Sequence, residues 1–139
     1  MPQLDCYLFF NGNCAQAMRF YERTLGAKLE MMMTYGESPQ QEQCPAGSAD
    51  RIMHARLSID GRALMASDVP QGQAHQGMNG FSLSLIYPSA DEAQRVFNAL
   101  ADGGKTTMPI TKTFWADAYG MLTDRFGTPW MVGGGMKQH

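Results

Sequence analysis

The signals that begin and end helices occur twice in this chain at a nearly constant separation. Asn13 and Ser89, two residues suited to cap a helix, lie 76 positions apart. Gly26 and Gly103, which would end the two helices, lie 77 positions apart. One short apolar run precedes each helix, and three strand-like segments follow it. The pattern predicts an α+β fold built from a duplicated module of strand, helix, strand, strand and strand.

The first module is predicted to span about residues 1–68. The apolar run 5–10 predicts a buried strand, and the side chain of Asn13 is expected to cap the helix that follows it. The later strands are predicted over 28–35, 52–59 and 62–67, with a hairpin turn at Asp60-Gly61 and a solvated, mobile loop over 36–50.

The second module is predicted to span about residues 79–139, after a linker over 68–79. Ser89 and Glu92 have the spacing of a capping box, so a helix is expected to begin after Ser89. Its end is expected near Gly103-Gly104. The strands are predicted over 81–87, 105–113, 118–123 and 129–133, with a turn over 124–127 before the last of them. The chain 1–139 is therefore expected to form a single domain of two modules.

The segment 52–59 alternates between apolar and polar side chains, as a strand with one buried face does. The apolar set is Met53, Ala55, Leu57 and Ile59, and the polar set is His54, Arg56 and Ser58. Because His54 and Arg56 are two positions apart, they are expected to lie on the same face of the sheet.

Composition and charge exclude several classes of partner. The chain is 44% apolar and carries 11 Lys and Arg against 13 Asp and Glu. It has no basic stripe for phosphates or anionic lipids, so neither a nucleic acid nor a membrane surface is an expected partner. No apolar run approaches the roughly 20 residues of a membrane span, and the first residues lack the pattern of an export signal.

The cysteines give little support for a disulfide scaffold or a zinc site. Cys6, Cys14 and Cys44 form no CxxC pair, and an odd number of cysteines does not pair completely within one chain. This usage fits a reducing environment, so a cytoplasmic location is predicted.

Several motifs, in order along nearly the whole chain, match those of a known family. They are Phe10-Asn11-Gly12-Asn13-Cys14 with Ala17 and Phe20-Tyr21, Met53-His54-Ala55, Ser67-Asp68, Gly103-Gly104, Thr113-Phe114-Trp115, and Asp124-Arg125-Phe126-Gly127 with Trp130. The chain resembles the vicinal oxygen chelate superfamily of glyoxalase, extradiol dioxygenases and bleomycin-resistance proteins. Within it, the chain resembles the PhnB-like branch, which is also labelled 3-demethylubiquinone methyltransferase-like.

The resemblance implies a glyoxalase-like fold in which two βαβββ modules form a cup-shaped mixed sheet with the helices on its convex side. It places the apolar face of 52–59 under the helices and turns His54, Arg56 and Ser58 toward the cup. It also implies a homodimer. Whether the cup forms within one chain or between two is left open.

The resemblance also bears on metal binding. Metal-dependent members place one His or Glu from each of four cup strands around a divalent ion. The matching positions here are Cys6, Met65, Ser82 (or Phe81 if the register slips by one) and Met131. None of them is His, Asp or Glu, and thioethers pack more often than they bind a hard cation. We therefore predict neither a metal nor another cofactor.

Other side chains could contact a ligand or do chemistry. His54 is either a general base or a histidine satisfied by a neighbour. Arg56 either pairs with a carboxylate or phosphonate or is a solvated charge. Trp115 and Tyr119 either stack on a ligand, seal a dimer or pack in the core. Cys6 is either a nucleophile or an inert thiol.

Two functions remain open at the level of sequence. The first is a metal-independent, PhnB-like module that binds a small anionic or aromatic molecule in its cup. The second is an enzyme of the superfamily, a lyase or oxidoreductase that acts on an oxygen-rich small molecule with a divalent metal or with His54 as base. The loss of acidic and imidazole side chains at the four ligand positions favours the first.

Overall fold

The computed structural model describes residues 2–39 and 47–137 of the chain. The helices and strands, in chain order, are β1 (Cys6–Phe10), α1 (Cys14–Leu25), β2 (Lys28–Thr34), β3 (Ile52–Ile59), β4 (Arg62–Asp68), β5 (Leu83–Tyr87), α2 (Ala90–Ala101), β6 (Lys105–Thr111), β7 (Ala116–Thr123) and β8 (Pro129–Met136). This order confirms the predicted duplication of a βαβββ module. The middle of the predicted mobile loop over 36–50, with Cys44, lies outside the described residues.

The chain forms two compact units, unit 1 (Met1–Gly77) and unit 2 (Met78–His139). Each contains one mixed, four-stranded sheet, with strand order β1-β4-β3-β2 in unit 1 and β5-β8-β7-β6 in unit 2. In both sheets the first strand of the module runs parallel to the last, and the other neighbours are antiparallel. Neither of the helices in the described part of the chain is long and apolar enough to span a membrane.

In unit 1, α1 packs on one face of the sheet. The cross-strand register places Leu8 beside Ala66 and Ala66 beside Ala55, so these residues share that face. Six side chains on this face are almost completely removed from water, whereas Met53 and Ile59 are partly buried; the six are Leu8, Phe10, Ala55, Leu57, Leu64 and Ala66. They meet Cys14, Ala17, Met18 and Tyr21 of α1. Burial of this apolar surface is the main force that joins α1 to the sheet.

The cap of α1 differs from the predicted one. Asn13 occupies the cap position, but its side chain makes no capping hydrogen bond. Instead, Oδ1 of Asp68, at the end of β4, accepts hydrogen bonds from the backbone N–H groups of Gly12 and Cys14, at 2.8 and 3.0 Å. Oδ2 of Asp68 accepts from the N–H of Ile52 at 2.9 Å. The prediction for Asn13 was wrong because a carboxylate from a distant strand satisfies the exposed amides first.

In unit 2, α2 begins as predicted. The Ser89 Oγ accepts a hydrogen bond from the N–H of Glu92 at 3.3 Å and donates to Glu92 Oε1 at 3.2 Å. A buried carboxylate also organises the turn before β8. Asp124 Oδ1 accepts from the N–H groups of Phe126 and Thr128, and Oδ2 accepts from Trp130 Nε1 at 2.8 Å. This network fixes the predicted turn over 124–127.

Several strand ends differ from the predicted ones. β7 begins at Ala116, two residues before the predicted start, and β5 begins only at Leu83, so Ser82 precedes it. β8 extends to Met136 through three consecutive glycines. Glycine has low strand propensity, but at Gly134 it lets the backbone of Ser89 approach β8 closely.

The two described cysteines are expected to differ in reactivity. Cys14 is completely buried, and burial raises the pKa of its thiol well above the usual range, with a further contribution from the Asp68 carboxylate. Cys6 is exposed. Iodoacetamide at pH 8 should therefore alkylate Cys6 of the folded chain at least about a hundredfold faster than Cys14, and both at similar rates in urea. Peptide mass spectrometry measures each site; equal rates in the folded chain would contradict the burial of Cys14.

Candidate functional site

The face of the unit 1 sheet opposite α1 carries aromatic and polar side chains. The register pairs Tyr7 with Met65 and Met65 with Arg56, so these three lie on the same face, which we call the open face. Phe9 and His54 lie on it too, two positions from Tyr7 and Arg56 along their strands. The open face is thus defined by Tyr7, Phe9, His54, Arg56 and Met65.

Three rings form a continuous surface on the open face. The ring centroids of Tyr7 and Phe9 are 5.2 Å apart, and those of Tyr7 and His54 are 5.6 Å apart with an interplanar angle of 27°. Tyr7 and Phe9 remain 38% and 53% exposed. Large aromatic side chains that keep this much contact with water on a regular strand are available to cover an apolar molecule.

A hydrogen bond fixes the orientation of His54. The hydroxyl of Tyr7 lies 3.0 Å from Nδ1 of His54. Two tautomers of the neutral imidazole fit this distance: with the ring proton on Nε2, Nδ1 accepts from the Tyr7 hydroxyl, and with the ring proton on Nδ1, Nδ1 donates to the hydroxyl oxygen. Within the described residues, Nε2 of His54 has no hydrogen-bond partner. With the ring proton on Nε2, the imidazole offers one N–H donor to a ligand.

Arg56 lies on the same face but is already paired. Its Nε is 3.2 Å from Oε1 of Glu30, in the irregular part of β2, and the two side chains are both 40% exposed. Its Nη1 lies 3.7 Å from the sulfur of Met65. The ion pair orients the guanidinium and cancels its charge locally, although an exposed pair contributes little to stability.

His75, from the segment after β4, closes one side of the aromatic surface. Its Nε2 lies 2.7 Å from the backbone oxygen of Phe9. Because β1 is an edge strand, this contact satisfies a carbonyl that the sheet leaves without a neighbour. No role was predicted for His75 from the sequence.

Unit 2 has its own sheet face opposite α2. Tyr119 lies beside Gly133, and a Cβ atom added at Gly133 would come within 2.8 Å of the Tyr119 ring. Met131 follows the same face and pairs with Met121. Trp115 contacts Tyr119 edge to face, with the centroids 5.4 Å apart. This surface is mainly apolar and aromatic.

The structure brings together some of the predicted site residues. His54, Arg56 and Met65 share the open face of unit 1. Cys6 does not, because it pairs with Leu64 on the opposite side of the sheet and Tyr7 takes the place next to Met65. The remaining candidates, Ser82, Trp115, Tyr119 and Met131, belong to unit 2.

Three residues of the site were missed from the sequence. Tyr7 and Phe9 belong to a strand in which every residue from Cys6 to Phe10 is apolar, so alternation does not separate its two faces. Glu30 lies at a register shift in β2, where the regular alternation fails. The pairing of β1 with β4 locates Tyr7 and Phe9, and the ion pair with Arg56 locates Glu30.

The residues of this face do not fit a divalent metal ion. In the part of the chain that the structure describes, no three His, Cys, Asp or Glu side chains are grouped so that they could hold one. On the open face of unit 1, the Nδ1 of His54 is bonded to Tyr7 and Glu30 is paired with Arg56. The absence of a metal cofactor stays a prediction.

Comparison with known proteins identifies relatives along almost the full length. A family model described as the Glyoxalase/Bleomycin resistance protein/Dioxygenase superfamily matches residues 3–132. Protein YjdN of Escherichia coli strain K12 is 42% identical over 141 residues, which cover 95% of this chain and 94% of YjdN.

Solved structures give the same result. The crystal structure of protein PA1353 from Pseudomonas aeruginosa has a TM-score of 0.90 and 47% identity, covering 99% of this chain and 100% of that one. The PhnB protein from Bacillus cereus has a TM-score of 0.80 and 22% identity, covering 96% of this chain and 99% of that one. Similarity at the latter level supports the fold alone.

Proposed function

Because the chain belongs to the glyoxalase/bleomycin resistance protein/dioxygenase superfamily, we propose that it is a PhnB-like protein that binds a small molecule on the open face of unit 1 without a metal ion. Family membership alone does not assign a ligand, since this fold supports many functions. The proposal therefore depends on the side chains of the open face.

The observation that carries the proposal is the exposed cluster of Tyr7, Phe9 and His54. Two aromatic rings lie in contact with each other, half-exposed, next to an imidazole whose outer nitrogen is unpartnered in the described chain. Covering such rings contributes about 25 cal/mol for each Å² of apolar surface removed from water. The polar groups beside them supply orientation, which is the usual composition of a ligand site.

The donor chemistry supports binding without a metal. A divalent cation in a protein usually takes three or more imidazole, carboxylate or thiolate ligands. The open face has one imidazole, and its Nδ1 is engaged by Tyr7. The homodimer and the cytoplasmic location stay predictions alongside this proposal.

One observation favours the enzyme alternative. A catalytic base needs a second group that fixes its orientation, and the Tyr7 hydroxyl lies 3.0 Å from Nδ1 of His54. In the tautomer with the ring proton on Nδ1, Nδ1 donates to the Tyr7 oxygen and Nε2 is free to accept a proton from a substrate. In that case the His54→Ala variant would lose turnover of an oxygen-rich substrate. If it loses binding of a compound that the protein leaves chemically unchanged, the binding function is supported instead.

The binding function can be tested with four compounds. The full chain is titrated, in the presence of a chelator, with 2-naphthamide, benzoate, hexanoate and propylphosphonate in turn. Two-dimensional NMR measures the shifts of the backbone amides in each titration. We expect at least one of them to produce saturable shifts at the amides of Tyr7, Phe9 and His54. The His54→Ala variant should weaken that binding by about tenfold, which corresponds to about 1.4 kcal/mol.

A matched control is Arg19→Ala, an exposed position on α1, which covers the other face of the sheet. Its affinity should equal that of the wild-type chain. The proposal fails if none of the four compounds binds, or if the saturable shifts are confined to residues away from the open face.

A further inference from the structure

We infer that the open face of unit 1 takes an uncharged, planar aromatic molecule that carries a hydrogen-bond-accepting oxygen. The ring would cover Tyr7 and Phe9, and the oxygen would accept from Nε2 of His54. This inference rests on the proposed function and specifies the class of molecule bound there.

The preference for a planar ring follows from the shape and chemistry of the surface. The centroids of Tyr7 and Phe9 are 5.2 Å apart and the rings are tilted by 37°, while Tyr7 and His54 are stacked. Together they form a row of three neighbouring rings. An aromatic ligand gains from the complementary charge distribution of such rings in addition to its apolar area, which a saturated ligand of the same size does not.

The preference for an acceptor oxygen follows from the hydrogen bond between Tyr7 and His54. In the tautomer that binds such a ligand, Nδ1 accepts from the Tyr7 hydroxyl at 3.0 Å and the proton of the neutral ring is on Nε2. That N–H has no partner among the residues of the described chain. Covering the imidazole with a ligand that lacks an acceptor would leave a buried donor unsatisfied, which is costly.

The preference for an uncharged ligand follows from the ion pair beside the rings. Arg56 is the cation nearest the rings, since Lys28 lies beside Ser58 farther along this face, and Oε1 of Glu30 lies 3.2 Å from the Nε of Arg56 with the same exposed side-chain fraction. A carboxylate that approached Arg56 would also meet the negative charge of Glu30. The local charges therefore cancel, and a ligand anion gains little.

Three related compounds separate these preferences. They are 2-naphthamide, its saturated analogue decahydronaphthalene-2-carboxamide, and 2-naphthoate. Calorimetry on the full chain should give an affinity for 2-naphthamide about tenfold higher than for the saturated amide. The affinity for 2-naphthoate should be equal to or lower than that for 2-naphthamide.

Substitutions test the two contacts separately. Phe9→Leu retains an apolar side chain but removes a ring, so it should weaken 2-naphthamide about fivefold and leave the saturated amide unchanged. His54→Leu should weaken both amides about tenfold. Arg19→Ala, at an exposed position of α1 on the other side of the same sheet, is the matched control and should change neither. Thermal unfolding verifies that each variant is folded.

The outcomes distinguish this inference from the proposed function. Equal affinity for 2-naphthamide and its saturated analogue, or at least tenfold tighter binding of 2-naphthoate, would overturn the ligand class. Binding of hexanoate or propylphosphonate at the open face would then still support the proposed function. If none of these compounds binds, both proposals are overturned.

Discussion

Replacing Asp68 by alanine is expected to lower the free energy of unfolding by about 4 kcal/mol. The carboxylate is 2% exposed and accepts hydrogen bonds from the backbone N–H groups of Gly12, Cys14 and Ile52. Alanine would leave these three donors without an acceptor, and each buried donor left unsatisfied costs roughly 1–3 kcal/mol. The urea midpoint, followed by far-ultraviolet circular dichroism, measures the change.

Two further variants identify the cause. Asp68→Asn retains one acceptor oxygen and replaces the other by an NH₂ group. Depending on the orientation of the amide, the NH₂ group faces either the N–H of Ile52 or the N–H groups of Gly12 and Cys14, and it cannot accept from them. We therefore expect a loss in the free energy of unfolding that is smaller than for Asp68→Ala. Asp50→Ala, at an exposed position, should change the free energy of unfolding by no more than about 0.5 kcal/mol. If Asp68→Ala is as mild as Asp50→Ala, the carboxylate does not hold α1 to the sheet.

Replacing Gly134 by alanine is expected to destabilise unit 2 by a similar amount, about 4 kcal/mol. An added Cβ atom would overlap the backbone oxygen of Ser89 and lie 2.8 Å from the Cβ of Ala93. Both atoms belong to the start of α2, which packs directly on β8. Since the obstacle is backbone rather than a flexible side chain, the whole helix would have to move away from the sheet.

Gly72→Ala is the matched control for Gly134→Ala. At Gly72 an added Cβ meets nothing within 4 Å, but the φ angle of +85° is unfavourable for alanine. The expected loss is about 1 kcal/mol from backbone strain alone. Urea unfolding of both variants separates the cost of the steric overlap at position 134 from the cost of the backbone conformation at position 72. If both variants lose the same free energy of unfolding, the close approach of α2 to β8 is not the reason for glycine at position 134.

The sequence alone predicted the order of the helices and strands, and it predicted which residues of β3 lie on the open face. The alternation in 52–59 predicted that His54 and Arg56 share a face, and the register of β3 with β4 confirms it. Local signals also predicted the cap at Ser89 and the hairpin turn at Asp60-Gly61, where both residues have positive φ. Such features depend on neighbours within a few residues, so short patterns reveal them.

Features that depend on pairing between distant strands could not be predicted. Asp68 caps α1 from a position 54 residues away from Cys14 in the chain. Tyr7 contacts His54 across two strand boundaries, since β4 lies between β1 and β3. The resemblance places Cys6 in the site with Met65, but the register pairs Tyr7 with Met65 and puts Cys6 on the opposite face of the sheet. Successive side chains of a strand point to opposite faces, so an error of one residue is enough to change the face.

Both proposals require that unit 1 binds a small molecule on its open face without a metal ion. The most direct test is the dissociation constant of whichever of 2-naphthamide, benzoate, hexanoate and propylphosphonate binds most tightly, measured by calorimetry on chelator-treated protein. The measurement is then repeated with equimolar Mn²⁺, Ni²⁺ or Zn²⁺. We expect the same dissociation constant within about twofold in all four conditions. Loss of binding in chelator, with recovery of more than tenfold on addition of one of these ions, would contradict it.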